Sequence, residues 1–176
     1  MASQGAQPKA SDFGDAYVAI FNDVDLMRSG KLGMSRLPLH HFDVFNEKNP
    51  NERKLLHLQQ AATAQGRVVV QAFLPYRDRK GKLHDSRRIL WLTGVPAEVV
   101  KGKKISTLIS DESLGKRVMN FAEASSERDQ LRADGYDVYL RRVPYQHAEC
   151  ISCHSEAKVG DTAGVVLIAL KAKSGQ

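Results

Sequence analysis

Apolar residues near the start of the chain recur every three or four positions, which is the period of a helix. Ser11 and Asp12 are suitable caps for such a helix, and the pattern predicts that it ends near Arg28. The apolar residues that set this period are Phe13, Tyr17, Ile20, Phe21 and Val24. We therefore expect one continuous helix, and the Ser-Gly pair that follows Arg28 suits its end.

A second helix is predicted to begin at Asn49. Asparagine is a favoured N-cap, Pro50 suits the first helical position, and Glu52 stands where a capping box places an acidic residue. Gly66 suits the end of this helix. Because the start signals are consecutive, they indicate this boundary more strongly than the apolar spacing alone.

After Gly66 the sequence pattern changes from one typical of helices to one typical of strands. Residues 67–76 are rich in β-branched and aromatic side chains, and a turn at 77–82 leads to a returning strand at 86–94. Residues 136–143 alternate, with Tyr, Val and Leu on one face. Residues 164–171 are almost continuously apolar, which is typical of a strand buried on both faces.

Between these strands, Ser110 is the predicted cap of a third helix, whose pattern extends through Leu131 to Gly135. Helices mixed with hairpin strands predict an α+β fold with an antiparallel sheet, and a PAS-like sheet fits this order. We expect residues 1–10 to be a flexible lead-in and residues 11–176 to form a single domain.

Composition is that of an ordinary globular domain. The chain has 176 residues, with 42% hydrophobic and 26% charged residues and a formal net charge of +6. The basic residues are scattered, which favours a solvated surface over nucleic-acid binding. The longest apolar runs fall short of the roughly 20 residues that a membrane span needs. No catalytic motif stands out, so we do not expect an enzyme.

The segment with the most specific chemical pattern reads Cys-Ile-Ser-Cys-His and contains Cys150, Cys153 and His154. Two thiols separated by two residues and followed by histidine are the attachment signature of c-type haem. Each thiol can form a thioether with one haem vinyl group, and the histidine then binds the iron as the proximal axial ligand. The segment therefore predicts one covalently bound haem c.

Two other uses of this segment compete with haem attachment. A structural zinc site needs four ligands, and the chain has no cysteine besides Cys150 and Cys153. A redox-active dithiol needs a strand before it and a helix after it, whereas Pro144 precedes and Gly160 follows this pair. The alternative prediction is thus a haem-free binding domain with a structural or zinc-bound cysteine pair.

The C-terminal part of the chain resembles a family of mono-haem c-type proteins with a PAS-like fold. The similarity lies in Tyr139–Arg141, Val143-Pro144, Cys150–His154, Asp161 and the strand that begins at Gly164. Family members are free periplasmic proteins or sensor domains of bacterial membrane receptors. The resemblance implies a haem between the N-terminal helices and the Cys-His segment.

A second patch of similarity precedes the second predicted helix. Asn46–Asn51 looks like the Arg-Asn-Pro-x-Asn stretch of that family, with Lys48 in place of the arginine. One type of family member takes its sixth iron ligand from an N-terminal cysteine, which this chain lacks. Met27, Met34 and His41 are therefore the alternative distal candidates, and an open or water-bound iron is also allowed.

These observations predict a c-type cytochrome that serves electron transfer or haem-based redox or gas sensing. A basic surface suits an acidic redox partner protein, and an open iron would accept a small gas ligand. Because the resemblance places haem attachment outside the bacterial inner membrane, we expect a periplasmic protein. The N-terminus has no apolar signal core, so we expect that a signal peptide has been removed.

Overall fold

The computed structural model describes ten elements of secondary structure. The described residues are 7–29, 48–67, 69–75, 91–93, 112–133, 135–152, 154 and 156–171. The elements in chain order are α1 (Ala10–Phe21), α2 (Val24–Arg28), α3 (Pro50–Ala64), β1 (Val69–Pro75), β2 (Trp91–Thr93), α4 (Glu112–Glu123), β3 (Arg128–Ala133), β4 (Tyr136–Pro144), α5 (Ala148–Ile151) and β5 (Thr162–Lys171).

The strands form one five-stranded sheet in the order β2-β1-β5-β4-β3, and every pairing is antiparallel. The predicted α+β class with an antiparallel sheet is thus confirmed. β5 lies at the centre, between β1 and β4, and all its residues from Thr162 to Leu170 are buried. The prediction that this apolar segment is covered on both faces is confirmed.

Helix α1 covers one face of the sheet at β4. Tyr139 of β4 is only 1% exposed, and Gly14 of α1 lies directly over its ring. A Cβ atom added at Gly14 would lie 2.6 Å from Cε1 of Tyr139, so only glycine allows this close approach. The predicted alternation of β4 holds, but its middle is buried on both faces.

The main hydrophobic core joins the N-terminal helices to the C-terminal strands and to α5. Apolar burial of this kind supplies most of the free energy that holds such elements together. Its buried members are Phe13, Ala16, Tyr17, Val18, Ile20, Phe21, Leu26, Met27, Leu55, Ala62, Tyr139, Val143, Tyr145, Cys150, Ala163, Val166, Ile168 and Leu170. The core therefore contains both a methionine and a cysteine that the sequence singled out.

The prediction of one helix as far as Arg28 is wrong in one respect. The helix divides at Asn22 and Asp23, and α2 begins anew with Asp23 as its N-cap. The side chain of Asp23 accepts hydrogen bonds from the backbone N–H groups of Asp25 and Leu26. Polar groups that compete with helical hydrogen bonds in this way favour caps over helix interiors.

The prediction of helix through Leu131 to Gly135 is also wrong. Helix α4 ends at Glu123, and β3 follows as an edge strand paired with β4. Ala133 pairs with Tyr136, and Gly135 has a φ of 76°. The Asp-Gly dipeptide at this connection is typical of a two-residue hairpin. Pairing along β4 therefore outweighs the helical spacing of the apolar residues.

The predicted second helix is confirmed at both ends. The side chain of Asn49 caps α3 by accepting from the N–H groups of Asn51 and Glu52, and Pro50 is the first helical residue. Gly66 follows the helix with a φ of 65°. The proposed cap Ser110, the turn at 77–82 and most of the lead-in lie outside the described residues. No helix in the described part of the chain is long and apolar enough to cross a membrane.

Candidate functional site

Two sulfur atoms meet in the core between α2 and α5. Sγ of Cys150 lies 3.9 Å from Sδ of Met27, although the two residues are 123 positions apart in the chain. Cys150 is 6% exposed and Met27 is 8% exposed. Thiolate and thioether sulfur atoms are soft donors, of the kind that soft metals prefer.

Met27 reaches this position because it lies one turn into α2. Its backbone N–H donates to the carbonyl of Asp23 over 3.2 Å. Leu26 beside it is buried in the same core. At the other end of the helix, the hydroxyl of Ser29 donates to the carbonyl of Leu26. The break in the N-terminal helix therefore sets the direction in which Met27 points.

The carboxylate of Asp23 connects α2 to the start of α3. Its Oδ2 atom accepts from the side-chain amides of Asn49 and Asn51, each over 2.9 Å. Burial alone would raise the pKa of Asp23, but these bonds and those from Leu26 and Asp25 lower it below the ordinary value of 3.8. The carboxylate is thus held in its charged form.

Cys150 and His154 lie in the connection between β4 and β5, residues 145–161, which we call the 145–161 loop. Its base is closed by backbone bonds, because the N–H of Tyr145 donates to Asp161 and the N–H of Gly160 donates to Tyr145. The N–H of Lys158 donates to the carboxylate of Asp161. Gly160 adopts a φ of 96°, which favours glycine.

Inside this loop, α5 turns Cys150 towards the core. The N–H of Cys150 donates to the carbonyl of His147, and the N–H of His154 donates to the carbonyl of Ile151. The carbonyl of His154 accepts from Ala157 over 2.8 Å. Successive local turns therefore fix the backbone on both sides of the Cys-His segment.

His154 packs its imidazole against Tyr145. The two ring centroids are 5.1 Å apart with a tilt of 39°. Tyr145 is buried and also contacts Phe21 of α1, with centroids 6.3 Å apart. One core cluster contains Phe21, Tyr145, Met27 and Cys150. Through its contact with Tyr145, His154 therefore adjoins the cluster that contains the two sulfur atoms.

A buried side chain also ties the loop to the N-terminal helices. The Oδ1 atom of Asn22 accepts from the backbone N–H of Gln146 over 3.1 Å. The side-chain amide of Asn22 donates to the carbonyl of Val18 within α1. The break between α1 and α2 therefore contacts the loop through Asn22 and α3 through Asp23.

The structure brings together some of the residues that the sequence selected. Met27 and Cys150 are in contact, and His154 adjoins the same cluster through Tyr145. Met34, His41 and Cys153 lie outside the described residues. Asn22, Asp23 and Tyr145 were missed by the sequence reasoning. The adjacent polar pair inside an apolar helical pattern was a usable signal for the first two, whereas nothing local marked Tyr145.

The described residues contain no group of three or more histidine, cysteine or acidic side chains that could hold a metal ion. Among the residues that the sequence selected, the described donor groups are the thioether of Met27, the thiol of Cys150 and the imidazole of His154. Cys150 is free of disulfide bonds. Thioether and imidazole are the two kinds of donor that bind iron from opposite sides in cytochromes c.

Comparisons with known proteins add no assignment. No family model, no curated protein and no solved structure matches this chain.

Proposed function

We propose that this chain is a mono-haem c-type cytochrome that transfers electrons. In this proposal Cys150 and Cys153 attach the haem covalently, and His154 is the proximal iron ligand. The proximity of Met27 to Cys150 in one buried cluster carries the proposal, since Met27 would supply a second axial donor beside the attachment segment. Bound haem would supply a one-electron iron couple.

The surroundings of the two sulfur atoms suit a largely apolar cofactor. Phe21, Leu26 and Tyr145 are buried and belong to the same cluster as Met27 and Cys150. An apolar, poorly hydrated shell is one of the levers by which a protein sets the potential of a haem. His154 is partly buried and lies at the edge of this cluster, with its imidazole against Tyr145.

Among the distal candidates, Met27 is the one that we assign. It adjoins the attachment segment, and its helix is held by the cap at Asp23. Met34 and His41 are the competing candidates for this position. Methionine and histidine as axial pair raise the potential of a haem and fill both axial positions. This favours electron transfer over the sensing of small gases.

From the resemblance we infer that the chain is a periplasmic, PAS-like member of the mono-haem family. The five-stranded antiparallel sheet, with α1 packed on one face, agrees with the predicted helix-then-sheet order. Asn49 and Asn51 contact Asp23 at the start of α2, and Cys150 contacts Met27 of the same helix, so both patches of resemblance adjoin α2. A redox partner with an acidic surface would suit the net charge of +6.

Covalent haem is tested by expressing the chain, with a signal peptide, together with c-type maturation machinery. A denaturing gel stained for haem peroxidase activity should show the chain. Cys150→Ala with Cys153→Ala should abolish the stain, whereas Met27→Ala should retain it. No stain in the wild-type chain, together with zinc in the purified protein, would establish the haem-free alternative instead.

Electron transfer and gas sensing are then separated by spectroscopy. We expect the reduced wild-type protein to keep its Soret band unchanged under CO, because Met27 occupies the distal position. The Met27→Ala protein should bind CO and shift the band. A full shift in the wild-type protein at low CO would instead support the sensing function.

A further inference from the structure

We infer that Asp23 is a positioning residue for the distal ligand, and that Asn49 and Asn51 act on Met27 through it. The inference rests on the proposed function, because the distal ligand that it concerns is the Met27 of that proposal. Asp23 itself would bind no cofactor atom. The observation behind it is that the hydrogen bonds of one side chain organise the start of α2 and reach the start of α3.

Helix α2 cannot hold its own position. It has five residues, and isolated helices of fewer than about 12 residues are marginal in water. Its first turn depends on Asp23, whose Oδ1 accepts from Asp25 and Leu26 while its backbone carbonyl accepts from Met27. The orientation of Met27 is therefore a consequence of how Asp23 is held.

Asp23 is held in turn by the helix that follows the Asn-Pro stretch. Its Oδ2 accepts from both Asn49 and Asn51, while Oδ1 of Asn49 caps α3. Helix α3 has 15 residues and packs against α1, so it is a firmer support than α2. Hydrogen bonds to a charged carboxylate are about twice as strong as neutral ones.

The experiment measures the affinity of imidazole for the ferric holoprotein, because imidazole must displace Met27 to bind the iron. Asp23→Asn keeps an oxygen for the α2 cap but replaces the oxygen that accepts from Asn49 and Asn51 with a donor. We expect about a tenfold higher imidazole affinity, near 1.4 kcal/mol. The far-red band of a methionine–iron(III) bond should weaken in parallel.

The same change is then made in a Met27→Ala background. If Asp23 acts through Met27, Asp23→Asn has no further effect on imidazole affinity there. An equal increase in both backgrounds, or no increase in either, would overturn the inference. Loss of haem attachment in the wild-type protein, or an unchanged affinity in Met27→Ala, would instead refute the cofactor or the ligand assignment on which it rests.

Two further variants separate positioning from folding. Asn51→Ala removes one donor to Asp23 but keeps the cap at Asn49, so it should raise imidazole affinity by a smaller factor. Asp12→Asn alters a carboxylate that accepts from the N–H of Lys9 at the start of α1, and it should leave the affinity unchanged. A thermal unfolding curve for each variant confirms that it is folded under the assay conditions.

Discussion

The sulfur atoms of Met27 and Cys150 lie 3.9 Å apart in the buried core. The first belongs to a five-residue helix near the N-terminus, and the second belongs to a four-residue helix between the last two strands of the sheet. Neither helix is long enough to be stable alone. Their contact therefore depends on the side chains that tie these short elements to the rest of the fold.

Replacing the proposed distal ligand should change the potential of the bound haem. Met27→His should lower the midpoint potential by on the order of 100 mV, because a thioether favours ferrous iron more than an imidazole does. Met27→Ala should remove the methionine–iron(III) band. Redox titration and absorption spectra check both outcomes. Met34→Ala and His41→Ala serve as matched controls. Loss of the band in Met34→Ala would move the assignment to Met34, whereas a wild-type spectrum that lacks the band and changes in His41→Ala would move it to His41.

The tie between Asn22 and Gln146 should stabilise the 145–161 loop. Asn22→Ala removes the acceptor for the N–H of Gln146, and we expect a loss of about 1–3 kcal/mol in the free energy of unfolding. Amide exchange at Gln146 should accelerate. Asn22→Asp keeps an oxygen acceptor and should retain slow exchange. Equal exchange rates in the two variants would show that this hydrogen bond does not hold the loop.

The close approach of α1 to the sheet should make Gly14 intolerant of a side chain. Gly14→Ala should lower the free energy of unfolding by about 1–3 kcal/mol, because the added Cβ meets the buried ring of Tyr139. Urea unfolding measures this loss.

In a Tyr139→Leu background the ring is absent, so the cost of Gly14→Ala should fall. Gly66→Ala is the control, since nothing lies within 4 Å of its added Cβ and its cost comes from a φ of 65° alone. The cost at Gly66 should be the same in both backgrounds. If the loss of unfolding free energy caused by Gly14→Ala is also the same in both backgrounds, contact with Tyr139 is not its cause.

Two carboxylates should make the fold sensitive to acid. Hydrogen bonds from Arg117 lower the pKa of Asp129, and those from the two asparagines help to lower that of Asp23, so both lie below 3.8. A carboxylate with a lowered folded-state pKa stabilises the fold above its unfolded pKa, and this contribution is lost as the pH falls through the folded value. Stability should therefore decline below about pH 4.

Urea unfolding between pH 3 and pH 7 checks this dependence. Arg117→Gln removes the partner that holds Asp129 over 2.7 Å, and Asp23→Asn removes the other carboxylate. Each change should make the free energy of unfolding depend less steeply on pH in the acid range. An unaltered slope in both variants would assign the acid sensitivity to other groups.

Local signals in the sequence predicted the elements that depend on local chemistry. Asn49 and Pro50 start α3 through their own backbone and side chains, and the apolar composition of β5 reflects a strand covered on both faces. The division at Asn22 and Asp23 could not be read in the same way. It is stabilised by partners at Gln146, Asn49 and Asn51, which are remote in the sequence.

Strand β3 is a second element that the local sequence pattern did not predict. Its apolar spacing suits a helix, but its backbone pairs with β4, and a strand at a sheet edge needs only one such partner. The Asp-Gly connection before Tyr136 was the local sign of the hairpin. At the site, the Cys-His pattern could be recognised in the sequence because the haem attachment that it predicts requires a fixed spacing. The contact between Met27 and Cys150 joins remote parts of the chain, so only the structure could show it.

The central place of β5 has a consequence for how the chain acquires its structure. β5 is the last strand in sequence, yet β1 and β4 pair with it and not with each other. A chain that emerges from its N-terminus presents β1, β4 and the 145–161 loop before β5, so the sheet cannot close until residue 171 has emerged. The emerging chain therefore completes its core late, and the Cys-His segment is present before the sheet around it closes.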